Sequence, residues 1–98
     1  MAMYDPPHPG EFIKEVYIRP FSLSARKVAE NLKVSPSTLN RLLNCGSNVS
    51  PEMALRLSKV LGRSPESWLA MQDHYDLWHA ERRLDLRGVK KLALSATR

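Results

Sequence analysis

Apolar residues recur along this chain at helical spacing, and polar punctuation separates the runs. In "GEFIKEVYI" Phe12, Ile13, Val16 and Tyr17 share one helical face, Lys14 and Glu15 fall outside it, and the run is expected to end near Arg19-Pro20. "ARKVAENLK" turns Val28, Ala29 and Leu32 inward, and "SPSTLNRLLN" does the same with Leu39, Leu42 and Leu43. A fourth run from Pro51 buries some combination of Met53, Ala54, Leu57, Val60 and Leu61 and stops at Gly62. A fifth runs from Pro65 through "ESWLAMQDHYDLWHAERR". About five helices with short connections therefore account for residues 9 to 84, and no segment has the alternation of a strand.

The starts of these helices are written in serine and proline. Ser35-Pro36, Ser50-Pro51 and Ser64-Pro65 each pair a favoured N-cap with a residue whose missing N–H costs nothing in the first turn. Glu52 and Glu66 follow where the helix dipole favours an acid, and Ser24 is placed to cap the second helix. Outside the helices, the start "MAMYDPP" and the tail "RGVKKLALSATR" are expected to be weakly anchored. Val89, Leu92 and Leu94 leave a short helix in the tail as an alternative.

Composition narrows the class. The 98 residues make one domain, and 43% hydrophobic with 26% charged residues suits a soluble globular chain with a modest core. No run approaches the roughly 18 apolar residues of a membrane span. The N-terminus lacks a signal-peptide layout, which makes a cytoplasmic protein the expectation. One cysteine, Cys45, excludes an internal disulfide and a cysteine zinc cluster.

Net charge is +5, and its placement matters more than its size. Residues 24 to 62 carry six basic residues against two acidic ones; residues 63 to 85 carry three against five. The last 13 residues hold Arg87, Lys90, Lys91 and Arg98 with no acid.

Only Lys33 and Val34 separate the second helix from the serine that caps the third, so the pair reads as a helix-turn-helix. Ala29 supplies the small residue a steep crossing needs. Val28, Leu32, Val34, Leu39 and Leu42 supply the shared core. Together with "PGEF", "SPEMALRLSKVLG" and "SPESWLAMQ", in this order and spacing, "SPSTLNRLLN" resembles the lambda-repressor-like helix-turn-helix family and, more narrowly, the HigA-type antitoxins. The likeness runs from "PPHPGEFIKE" to about Leu77. It implies an all-α, five-helix DNA-binding domain, taken here over about residues 1–85; the pattern of the last helix makes about 65–82 the expected dimerisation helix, and the charge of the last residues makes 86–98 a basic tail. It also implies a homodimer that binds its own double-stranded operator DNA, represses its operon and neutralises a HigB-type mRNA-cleaving toxin.

By that resemblance the base-reading positions fall on Pro36, Ser37, Thr38, Asn40 and Arg41, and a phosphate-contacting position falls on Ser24 or Ala25. Side-chain chemistry agrees. Arg41 can donate twice to a guanine edge, Asn40 can pair with adenine, and Ser37 and Thr38 can bond to either base. Arg26, Lys27, Lys33 and Ser35 are the expected phosphate contacts, which set register without reading sequence. Two positions depart from the family pattern. Lys33 stands where glycine is usual, and "NCGSNVS" replaces an "NG" followed by basic residues.

Catalytic chemistry has little to work with. His74 and His79 are five apart, so they do not share a face as metal ligands four apart would, and His8 is remote in sequence. No metal, cofactor or enzymatic role is expected. On the last helix Met71, Tyr75 and Trp78 form a stripe running past the core, the expected dimer interface. The remaining alternatives are a stand-alone helix-turn-helix regulator without a toxin and a protein-interaction module that has lost DNA binding.

Overall fold

The computed structural model describes residues 5–95. Helix α1 (Pro9–Ile13) continues into a π-helical turn over Lys14–Ile18, followed by α2 (Ala25–Leu32), α3 (Pro36–Leu43), α4 (Pro51–Leu61) and α5 (Pro65–Arg83). The described residues hold no strand, and no helix is long and apolar enough to cross a membrane.

All four predicted serine caps form. The Oγ atoms of Ser24, Ser35, Ser50 and Ser64 accept the N–H groups of Lys27, Thr38, Met53 and Ser67 at 3.0–3.1 Å. Each such cap is worth about 1 kcal/mol relative to alanine. The first helix is capped differently: Nδ1 of the buried His8 accepts the N–H of Gly10 at 2.9 Å.

The predicted inward residues form one core of Ile13, Val28, Ala29, Leu32, Leu39, Leu42, Leu43, Ala54, Leu57 and Trp68, joined by Val49 from the loop after α3. On α4, Ala54 and Leu57 are fully buried while Met53, Val60 and Leu61 pack at its edge.

Val16 is a correction, since it is 41% exposed. The π turn inserts an extra residue, with Arg19 N–H reaching back to the Lys14 carbonyl at 2.9 Å. That rotates the helical face, so Tyr17 and Ile18 pack on the core where Val16 was expected.

Two polar residues tie the layers together. Gln72 of α5 is buried, and its Oε1 accepts the Val49 N–H at 2.8 Å, which pins the loop after α3 onto α5. Trp68 donates its Nε1–H to the Gly62 carbonyl at 2.9 Å and packs edge-on against Phe12.

Residues 5–8 lie along α5 rather than loose: Pro6 and Pro7 line a groove with Ala70, Met71 and His74. The "MAMY" start falls outside the described residues, as do Ala96, Thr97 and Arg98. The tail forms no helix through residue 95, and residues 84–95 are exposed.

Candidate nucleic-acid interface

The third helix owes its position to contacts on three sides. At its start, the chain leaves α2 through Lys33 in a left-handed conformation (φ 62°, ψ 42°). There the Lys33 N–H reaches the Glu30 carbonyl and the Val34 N–H the Ala29 carbonyl, both at 3.1 Å. This paired-bond helix ending normally uses glycine, because a side chain in that region costs roughly 1–2 kcal/mol. Arg56 of α4 reinforces the turn. Its Nη1 donates to the Leu32 carbonyl at 2.7 Å and the Lys33 carbonyl at 3.3 Å, while Glu52 holds the other edge of the guanidinium at 2.8 Å. Arg56 thus satisfies the carboxyl end of α2 and is not a free surface cation.

At its far end, α3 is crossed by α1. A Cβ on Gly10 would run into the Leu42 carbonyl oxygen, so only glycine allows the two backbones to approach this closely. That contact gives the "PGEF" motif its physical reason. The helix then stops at Cys45, also left-handed (φ 64°), with the Gly46 N–H bonded to the Arg41 carbonyl at 2.8 Å. The left-handed position thus falls on Cys45 rather than on the neighbouring glycine.

With both ends fixed, Leu39, Leu42 and Leu43 face the core and the opposite face meets solvent. Pro36, Ser37, Asn40 and Arg41 are exposed there together, and Thr38 is half-buried. Arg26, Lys33 and Arg41 have no ion pair among the described residues. Lys27 has only a 3.9 Å contact with Glu30, with both side chains largely in solvent, worth little.

The two serines differ in what they can still offer. Ser24 accepts the Lys27 N–H and keeps its hydroxyl proton available, beside the exposed first turn of α2 where Ala25 sits half-buried. Ser35 accepts the Thr38 N–H but also donates to Thr38 Oγ1 at 2.8 Å. Its proton is therefore used inside the helix, and with it much of the expected phosphate contact.

The α5 stripe divides. Met71 packs against the core, and Tyr75 is half-buried with its ring 4.8 Å from His8, so the chain's own N-terminal segment claims both. Trp78 sits under the Arg82 guanidinium at 3.6 Å, and its Nε1 is buried without a hydrogen-bond partner among the described residues. His8 titrates below the usual histidine range because burial penalises its charged form, against the opposing pull of Asp76, the Ser47 backbone and Glu11.

Sequence reasoning missed His8, Gly10, Val49, Arg56 and Gln72 as the residues that hold this surface. For Gly10 the signal was the glycine inside a helical run. The others needed the tertiary contact.

A helix-turn-helix family model matches residues 13–68. The "uncharacterized HTH-type transcriptional regulator YddM" of Escherichia coli (strain K12) is 37% identical over 94% of this chain and 97% of its own. Antitoxin HigA-1 of Vibrio cholerae is 33% identical over 88% of this chain and 83% of its own. Among solved structures, antitoxin GraA in complex with its operator superposes with a TM-score of 0.84 at 34% identity, covering 97% of this chain and 98% of that one. The chain belongs to the helix-turn-helix family, among the relatives of the HigA-type antitoxins.

Proposed function

We propose that the chain is an operator-binding antitoxin, a homodimer that represses its own operon and neutralises a HigB-type mRNA-cleaving toxin. The observation that carries the DNA half is the outward face of α3, where Ser37, Asn40 and Arg41 stand together on a helix fixed at both ends. In this reading Arg41 and Asn40 read base edges, with Pro36, Ser37 and Thr38 beside them. Ser24, Ala25, Arg26, Lys27 and Lys33 hold the phosphates, and Ser35 serves mainly to cap α3. Two copies joined through α5 around Trp78 would present two such helices to successive major grooves. The operator complex of GraA supports the DNA role, and the likeness to HigA-1 supports the toxin partner.

The role is regulatory and not enzymatic, and its place is the bacterial cytoplasm. No group of three or more metal-ligating side chains occurs among the described residues. A stand-alone regulator is the second reading, favoured by the relative called a transcriptional regulator. The adjacent open reading frame separates the two.

The DNA half is tested by titrating the protein against its own promoter fragment between low and physiological salt. Affinity is expected to fall steeply, with a log–log slope of roughly −0.9 per neutralised phosphate. A flat dependence would remove Arg26, Lys27 and Lys33 from the interface.

A further inference from the structure

Four residues other than glycine have a positive φ: Ser22, Lys33, Cys45 and Arg63. Lys33 differs from the other three in what holds it. The carbonyls of Leu32 and Lys33 belong to the two peptide planes that meet at the Lys33 Cα, and the angles between those planes are its φ and ψ. Arg56 Nη1 donates to both carbonyls, at 2.7 Å and 3.3 Å, and so fixes both angles at once. At Arg63 a side chain, that of Trp68, holds only the preceding carbonyl. Among the described residues, Lys33 alone is gripped on both sides.

The guanidinium is itself fixed from α4. Glu52 Oε2 accepts from Nη2 at 2.8 Å and from Nε at 3.3 Å. One edge of the planar fork thus meets the carboxylate while the other meets the carbonyls, a reach that the single ammonium of a lysine does not have. Glu52 also offsets the Arg56 charge, so the pair adds little net field at the DNA face. A glycine takes the left-handed conformation unaided, whereas a lysine there is strained. The clamp does for Lys33 what a glycine would not need. The exchange places an exposed ammonium in the turn, two residues before the Ser35 cap of α3 and without an ion pair among the described residues.

We infer that Arg56 is a positioning residue for operator binding. It touches no DNA itself. It holds Lys33 left-handed, so that the Lys33 ammonium meets a phosphate and α3 leaves the turn at the angle that reading requires. The inference deepens the DNA half of the proposed function and rests on it. It couples two positions 23 residues apart: a side chain is tolerated at 33 because an arginine stands at 56.

The test is a double-mutant cycle on the full chain. Arg56→Gln/Glu52→Gln removes the clamp and leaves the net charge unchanged. With Lys33 in place, this change is expected to weaken operator binding about tenfold and to reduce the salt slope by about one unit, as loss of one phosphate contact does. In the Lys33→Gly background the same change is expected to alter neither affinity nor slope further. Arg56→Lys is expected to recover only part of the loss. Denaturant unfolding of every variant confirms the fold, and its midpoint is expected to fall only where Lys33 is kept. Equal losses of affinity in the two backgrounds overturn the inference and give Arg56 a DNA contact of its own. A midpoint that falls while the salt slope of the folded protein stays unchanged also overturns it, and leaves Arg56 as support for the fold alone. A wild-type chain that ignores its own promoter fragment overturns the DNA reading and this inference together, an outcome distinct from the other two.

Discussion

The helix-turn-helix end of the molecule and the far end of α5 solve opposite problems. Around α3 every constraint comes from within the chain: Gly10 admits α1, Arg56 binds the turn carbonyls, and Gln72 pins the following loop. At the other end Leu77, Leu84, Leu86, Leu92 and Leu94 stay more than half exposed among the described residues. A reading surface has to exist before DNA arrives, because contacts that must be ordered on binding cost affinity. An association surface is completed by its partner and can be left bare.

The largest effect that sharpens this contrast is expected at Gly10. Gly10→Ala drives a methyl into the Leu42 carbonyl, where backbone on both sides leaves no room to yield. A loss of about 3 kcal/mol in unfolding free energy is expected, measured by denaturant titration, together with loss of operator binding. An unperturbed variant would mean that α1 does not set the position of α3.

A smaller effect is expected at His8, which is buried against both ends: it caps α1 and touches Tyr75 on α5. Burial holds its folded pKa below the ordinary 6.5, so the unfolded chain binds the proton first. The contribution to stability is complete above pH 6.5 and is lost as the pH falls from there through the folded pKa. Protonated Nδ1 also cannot accept the Gly10 N–H. Thermal unfolding followed from pH 7.5 to 5.5 should show this decline, and His8→Asn, which keeps an N-cap acceptor without titrating, should flatten it. An identical slope in the variant assigns the decline to other groups.

The sequence made much of this legible, and the gaps share a cause. Serine caps and leucine spacing are local, so Ser24, Ser35, Ser50, Ser64 and the buried leucines of α3 were readable directly. The outward face of α3 followed from the same periodicity. What could not be read depended on distant partners. Arg56 counts as surface charge until α4 is seen beside the end of α2, and Gln72 looks like a solvated residue until Val49 arrives from 23 positions earlier. The π turn left no compositional mark, so Val16 was placed on the wrong face. Met71 and Tyr75 read as an outward stripe because nothing local announces that residues 5–8 fold over α5. Left-handed Lys33 was signalled by the resemblance, which puts glycine at that position, whereas nothing signalled left-handed Cys45 beside a glycine.

The most direct test of the DNA-reading surface compares Arg41→Ala with Lys33→Ala on the cognate promoter and on unrelated duplex DNA, each at several salt concentrations. The account expects Arg41→Ala to cost about 1–3 kcal/mol on the cognate site and almost nothing on unrelated DNA. Lys33→Ala should weaken both alike and reduce the salt slope by about one unit. Equal behaviour of the two variants on the two DNAs would contradict the claim that α3 reads sequence while the turn before it only holds the backbone.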